Sequence, residues 1–359
     1  MMTGKERINA ILRHQSVDRI GLYEHFWQNS IERWTAEGHI PAGQSPADHF
    51  GFDLDELWTF NYTADIDFQW VTLEENDSSI LQLDGNGARL RRPKGRQGTP
   101  EHVGFSVTDR DSWEKLVRPF VDHADRRRIN FEGYRKTRTA CAAANRFFFW
   151  SGINSFECIH PVCGHENMLI GMVEDPEWVL DMAMVYADLN IGLMKILFEE
   201  EGLPDGIWFY EDMGFKGAPF MSPDMYRELI YPAHKKTIDF VKNLGLPVLM
   251  HSCGFVEPLL DGMVDAGIDC LQVIEIKAGM DPVRIHRKFG ERLALCGGID
   301  VRPLVKNDLD GVRAEIAKIP ALTDDRAGYI LHSDHSVPGN CDYATYRTFV
   351  DEGLRTGTF

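Results

Sequence analysis

From residue 136 onward the chain alternates short apolar runs with longer amphipathic stretches, and nearly every apolar run ends on a polar or ionisable residue. Strands are predicted over residues 138–144, 206–210, 247–251, 270–274, 293–297 and 328–332, with an earlier one at 20–23. Helices are predicted over 176–198, 223–244, 257–266, 281–289, 308–319 and 343–354. Ser222, Pro223 and Asp224 supply an N-cap with proline in the first turn, and Gly245 and Gly267 fall where helices should stop. Strand–helix–strand repetition with short connections requires parallel pairing and right-handed crossovers. A doubly wound sheet satisfies the same pattern, but it gathers chemistry at one switch point. Polar groups at most strand ends instead predict an α/β fold of the (β/α)8 TIM-barrel type.

A length of 359 residues suits one such domain, read here as a single barrel over residues 1–359. Ile8, Ile11 and Leu12 lie at helical spacing in an N-terminal helical segment that leads into the barrel. Residues 70–105, rich in Gly, Arg and Lys toward their end, are expected to form a hairpin or loop excursion. The balance of 38 Lys and Arg against 55 Asp and Glu leaves a net charge of −17, which opposes nucleic acid as a partner. The N-terminal residues lack the apolar core of a secretory signal, and acidic, Asn and Lys residues interrupt the most apolar later stretch, 179–198, so no membrane span is predicted. Seven scattered cysteines suggest reduced thiols and a cytoplasmic protein rather than a disulfide framework. A homodimer is left open.

The sharpest local feature is the run Val248-Leu-Met-His251-Ser-Cys253-Gly254. Residues i and i+2 of a strand share a face, so His251 and Cys253 should project together from the C-terminal end, where a barrel keeps its active site. Imidazole nitrogen and thiolate sulfur are preferred zinc ligands, although a buried cysteine beside a hydrogen-bonded histidine would leave the same trace. The next run, Cys270-Leu-Gln-Val-Ile-Glu275, brings a carboxylate to the mouth that needs a cation, an arginine or solvent. The last run ends in His332, Asp334 and His335. The predicted metal ligands are therefore His251, Cys253, Glu275 and His335, with His332 and Cys341 open as replacements for the last.

Glu211 and Asp212 end another run and should point to opposite faces, so one of them is expected to serve as base, ligand or acceptor in the pocket, with helix capping the alternative. His332 joins them as a candidate for proton handling. Trp27, Phe147, Phe149, Trp150 and Tyr210 are the aromatic candidates for a substrate wall, against the default of core packing. Glu24 and His25 are weaker polar candidates. Cys158, His160, Cys163 and His165 are spaced too tightly for the usual finger-type zinc site.

Several segments resemble the uroporphyrinogen decarboxylase superfamily in order along the chain: Thr3 to His14 with Val17-Asp-Arg-Ile20, Glu211-Asp-Met-Gly214, Met221-Ser-Pro-Asp224 with Tyr231-Pro-Ala-His234, His251-Ser-Cys-Gly254, Gly297-Gly-Ile-Asp300, and Asp334-His-Ser-Val-Pro338. The resemblance implies a (β/α)8 barrel with its site at the strand C-termini. Decarboxylases of that superfamily carry an early arginine-rich segment that clamps tetrapyrrole carboxylates. Here the stretch from Tyr23 to Asn29 has no arginine, and a polycarboxylate would be poorly held. The resemblance is nearer to the zinc- and corrinoid-dependent methyltransferases, whose matching strand carries His-x-Cys and whose site is completed by a later cysteine. His335 stands at about that place here. A single thiolate suits activation of an oxygen better than of a thiol.

The resemblance thus implies methyl transfer from a small methylated donor, with a phenyl methyl ether as the expected class, to the corrinoid of a separate partner protein, with Zn²⁺ at the site. The alternatives are a metal-free decarboxylase or lyase acting on a smaller acid, and a non-catalytic binding barrel.

Overall fold

The computed structural model describes residues 1–95, 100–323 and 328–359. Eight strands form the barrel wall: β1 (Gly21–Leu22), β2 (Leu54–Trp58), β3 (Phe147–Ile153), β4 (Gly206–Tyr210), β5 (Val248–Ser252), β6 (Cys270–Val273), β7 (Ala294–Gly297) and β8 (Tyr329–Leu331). Every neighbouring pair in the ladder is parallel, in the order β1-β8-β7-β6-β5-β4-β3-β2. The two ends of that ladder meet where the Asp53 amide donates to the Leu22 carbonyl at 3.0 Å, which closes the (β/α)8 barrel.

One carboxylate holds this seam. Asp53 accepts the Leu22 amide at 2.8 Å, Arg7 Nη1 at 2.6 Å and Arg19 at 2.7 and 3.0 Å. Arg7 and Asp53 are almost entirely buried, and each charge is kept by two partners, Asp53 and Asp18 for Arg7, Arg7 and Arg19 for Asp53. Arg7 is delivered by the helix Gly4–Leu12, whose first turn is fixed by a reciprocal cap between Thr3 and Glu6 and whose Ile8, Ile11 and Leu12 pack on the barrel.

Two expectations need correction. The predicted strand at 138–144 lies inside the helix Phe131–Ala143. Ala140, Ala142 and Ala143 are strong helix formers, Asn130 caps the first turn, and Tyr134 and Cys141 supply its buried face. The strand is instead the aromatic run that follows, β3, which is buried along its whole length. The predicted helix at 223–244 runs as three consecutive segments, Pro223–Met225, a wider π-type turn at Tyr226–Ile230, and Tyr231–Asn243. Pro232 has no amide to give to the preceding turn, and the chain widens there. β2 went unpredicted.

Between β2 and the helix preceding β3, residues 71–105 form a four-stranded antiparallel sheet of Val71–Glu75, Ser79–Leu83, Ala88–Pro93 and Glu101–Phe105. Residues 96–99 of the predicted excursion lie outside the described residues. Among the described residues no helix is long and apolar enough to cross a membrane.

Removing the carboxylate that closes the barrel should be severe. Asp53→Ala removes the buried acceptor of Arg7, Arg19 and the Leu22 amide at once and leaves Arg7 only Asp18 as a charged partner, and urea denaturation should show a loss of about 3–5 kcal/mol. A loss below about 1 kcal/mol, the scale of an exposed ion pair, would mean that the seam does not rely on Asp53.

Candidate active site

The parallel register decides which side chains meet at the rim. Tyr210 on β4 pairs with His251 on β5, and His251 pairs with Gln272 on β6. These three stand side by side and, with His25, Glu56, Cys253, His332 and His335 among others, line a cavity of about 240 Å³ at the C-terminal end of the barrel.

His251 is held from one side. Its Nδ1 donates to Gln272 Oε1, which leaves Nε2 facing the opening. On that side Nε2 lies 3.2 Å from Cys253 Sγ and 3.2 Å from Asp212 Oδ1, while Asp212 also accepts the Cys253 amide at 2.8 Å. Among the described residues Asp212, His251 and Cys253 are the trio of potential ligands whose atoms all fall within 4.8 Å of one another. Burial acts to raise the Asp212 carboxyl, but charge and hydrogen bonding from His251 outweigh it and hold the group at about 2. Burial likewise acts against charge on His251, yet Cys253 and Asp212 raise it well above the ordinary imidazole value.

Glu275 and His335 stand next to this trio rather than within it. The Glu275 carboxylate accepts the Gly254 amide at 2.7 Å and pairs with Lys277 at 3.2 Å. His335 lines the cavity, and burial lowers its affinity for a proton. Cys341 is buried away from the cavity, its thiol pushed up to about 12 by burial.

Glu211 and Asp212 follow the end of β4, and Glu211 faces the other way from Asp212. It is fully buried, accepts the amides of Phe156 and Glu157 at 3.1 and 2.9 Å, and lies 3.2 Å from His234 Nε2. It caps the turn after β3 and does not line the cavity. Among the five aromatic candidates only Tyr210 lines it. Phe147, Phe149 and Trp150 are core residues, Trp150 donating its indole N–H to Thr59 at 2.7 Å, and Trp27 is 44% exposed at the start of the helix Gln28–Ala36. Cys158 and Cys163 are turned into the core, while His160 and His165 stack at 4.3 Å.

A second network backs the cavity. His332 is fully buried, with Nδ1 on the Ser333 carbonyl and Nε2 facing His25 Nδ1 at 3.0 Å and Glu24 Oε1 at 3.3 Å. Beyond His25, Glu56 Oε1 lies 3.3 Å from Nε2 and accepts the Tyr210 hydroxyl at 3.0 Å. Burial, and then the neighbouring His25 imidazole, lower the affinity of His332 for a proton. Burial also raises Glu24 to about 8, although it accepts hydrogen bonds from Ser333 and His25. Glu56 and its pairing with His25 were missed from sequence. The alternation of apolar and acidic residues from Phe52 to Asp55 was the available sign of the strand that carries it.

A family model described as uroporphyrinogen decarboxylase (URO-D) matches residues 159–353. The chain is 26% identical over 147 residues to a methylated-thiol–coenzyme M methyltransferase of Methanosarcina mazei, covering 41% of this chain and 37% of that protein. It is 27% identical over 117 residues to a uroporphyrinogen decarboxylase of an Arthrobacter species, covering 33% and 32%. The chain thus spans about a third of the length of the curated relatives it matches. Among solved structures, a methyltransferase from Methanosarcina mazei superposes with a TM-score of 0.66 over 98% of both chains at 16% identity, a likeness of fold.

Glu24 generates a pH prediction. The folded protein keeps its proton to about pH 8, whereas the ordinary value is 4.5. Between those values the fold binds more protons than the unfolded chain, so stability falls as pH rises, by up to about 1.4 kcal/mol per pH unit. Urea unfolding of Glu24→Gln should show a flatter decline across this window than wild type. Superimposable pH profiles for the two proteins would refute the assignment.

Proposed function

The chain belongs to the uroporphyrinogen decarboxylase family, and from that premise we propose that it is a zinc-dependent methyltransferase acting on a small methylated donor. The donor class proposed is a methyl ether, a phenyl methyl ether foremost, and the acceptor is the corrinoid of a separate protein. One observation supports this reading above the others: an imidazole nitrogen, a sulfur and a carboxylate oxygen converge at the barrel mouth.

The donor set fits zinc. Tetrahedral coordination with bonds of about 2.0–2.3 Å places ligand atoms roughly 3.5 Å apart. The 3.2 Å separations from His251 Nε2 to Cys253 Sγ and to Asp212 Oδ1 approach that spacing before any adjustment. His251 and Cys253 are the proposed anchors, with Asp212 the third ligand and Glu275 or His335 close by to replace it. Zinc, when bound there, supplies Lewis-acid polarisation of the oxygen that loses its methyl group.

The remaining residues bind and manage protons. Gln272 fixes the His251 tautomer, and Tyr210 and His335 flank the space a donor would fill. As the methyl group leaves as a cation equivalent for the cobalt nucleophile, the donor oxygen retains the electron pair of the broken bond and takes up a proton. The chain from Glu24 through His332 and His25 to Glu56 can hold that proton, because Glu24 stays protonated to about pH 8.

Among the described residues no lysine or arginine lines this cavity itself, so the several carboxylates of a tetrapyrrole would find no guanidinium or ammonium partner within it.

Purified protein should carry about one zinc per chain, as a site with three side-chain ligands and one open position requires. Cys253→Ser should lose most of that zinc and of the methyl transfer from anisole-type ethers to a corrinoid protein, while thermal unfolding stays near wild type. Full zinc content in Cys253→Ser would remove Cys253 from the ligand set, and wild-type protein purified without zinc, or activity untouched by chelation, would favour a metal-free decarboxylase or lyase instead.

A further inference from the structure

Cys253 stands between two cavities. On one side is the chamber described above, and on the other is a cavity of about 420 Å³ that Cys253 shares with Lys216, Glu275, Lys277 and Arg302. Three cations and one carboxylate thus face a single hollow in a protein of net charge −17. The surface as a whole repels anions, so such a concentration of positive charge is a local exception to the protein's field.

The hollow is built rather than loose. Gly214 and Gly254 lie backbone to backbone: a Cβ on Gly254 would fall 2.3 Å from the Gly214 carbonyl carbon, and the φ of Gly254 is +78°. That contact seats the hairpin of Gly214–Phe215 and Ala218–Pro219, with Lys216 at its tip, directly on the end of β5. The Phe255 amide donates to the Phe215 carbonyl at 2.9 Å, and the Gly217 amide to the Ala278 carbonyl at 3.1 Å. Asp334 ties the other two cation-bearing segments together by accepting the Ile276 amide at 2.9 Å and the Val301 amide at 2.8 Å. Lys277 leans on Glu275, and Arg302 is held by both oxygens of Asp300. Among the described residues Lys216 has no carboxylate within ion-pair distance. Lys216 therefore brings an ammonium group without an ion-pair partner to the hollow that Cys253 also lines.

We propose that this hollow is a subsite for the anionic tail, a carboxylate, sulfonate or phosphate, of the molecule whose other end reacts at the Asp212, His251 and Cys253 trio. The identity of the reacting end rests on the methyl-transfer reading; the anion site itself does not. The substrate class is then a short methyl donor with a negatively charged terminus. The charge is recognised by Lys216, Lys277 and Arg302, and the reacting oxygen reaches the site past Cys253.

Two measurements separate the parts. Calorimetric titration of the zinc-loaded protein with sodium sulfate should show binding that weakens about tenfold or more in Lys216→Ala/Lys277→Ala, as expected when charge-assisted contacts are lost. Lys216→Arg/Lys277→Arg should bind sulfate nearly as wild type does, which separates charge from fold. In methyl transfer, 4-methoxybenzoate should be preferred over anisole by wild type, and the preference should vanish in the double alanine variant. Absent sulfate binding, or binding equal in wild type and the alanine variant, overturns the anion site. Sulfate binding without any preference for the charged ether overturns its use for a substrate tail. If neither ether is turned over while sulfate binds as expected, the methyl-transfer reading fails and the anion site stands.

Discussion

Parallel pairing at the C-terminal rim of β4, β5 and β6 fixes nearly everything that follows at the site. The register sets Tyr210, His251 and Gln272 at one level, so the three side chains have to be neighbours. With Gln272 engaging Nδ1 of His251, the imidazole can present only Nε2 to Cys253 and Asp212. A slip of one residue in either ladder would send His251 to the helix layer and dissolve the constellation. The barrel seam at Asp53 matters for the same reason. Closure holds β1 against β2 and so brings His25 and Glu56 to the side of the cavity opposite the trio.

Charge is distributed around the rim with evident division. The side lined by His25, Glu56, Tyr210 and His332 carries hydrogen-bonding groups, and behind it burial raises Glu24 and lowers His332. The side beyond Cys253 carries ammonium and guanidinium groups held by Glu275 and Asp300. Burial on one side and ion pairing on the other are different ways to tune an active site. They meet at the one sulfur that both cavities share.

Much of this was legible in the chain. The alternation after residue 136 is a local pattern, and it survives folding because each strand and helix buries its own face. His251 and Cys253 were legible for a similar reason, since two residues on one strand share a face whatever the strand's neighbours are. The misplacement of a strand at 138–144 came from treating Phe147 to Trp150 as a pocket wall following a strand, when those residues are the strand. A run buried on both sides shows no alternation, and periodicity alone cannot assign it.

The sequence by itself determined the barrel class, the strand that carries His251 and Cys253, and the rule that only one of Glu211 and Asp212 could face inward. Tertiary structure alone decided that the inward one is Asp212, that Glu211 caps a turn beneath His234, and that Glu275 turns to Gly254 and Lys277 rather than into the trio. The physical reason is distance along the chain. A face or a cap is set within a few residues, whereas a meeting of groups from different strands depends on register and closure, which no short stretch encodes.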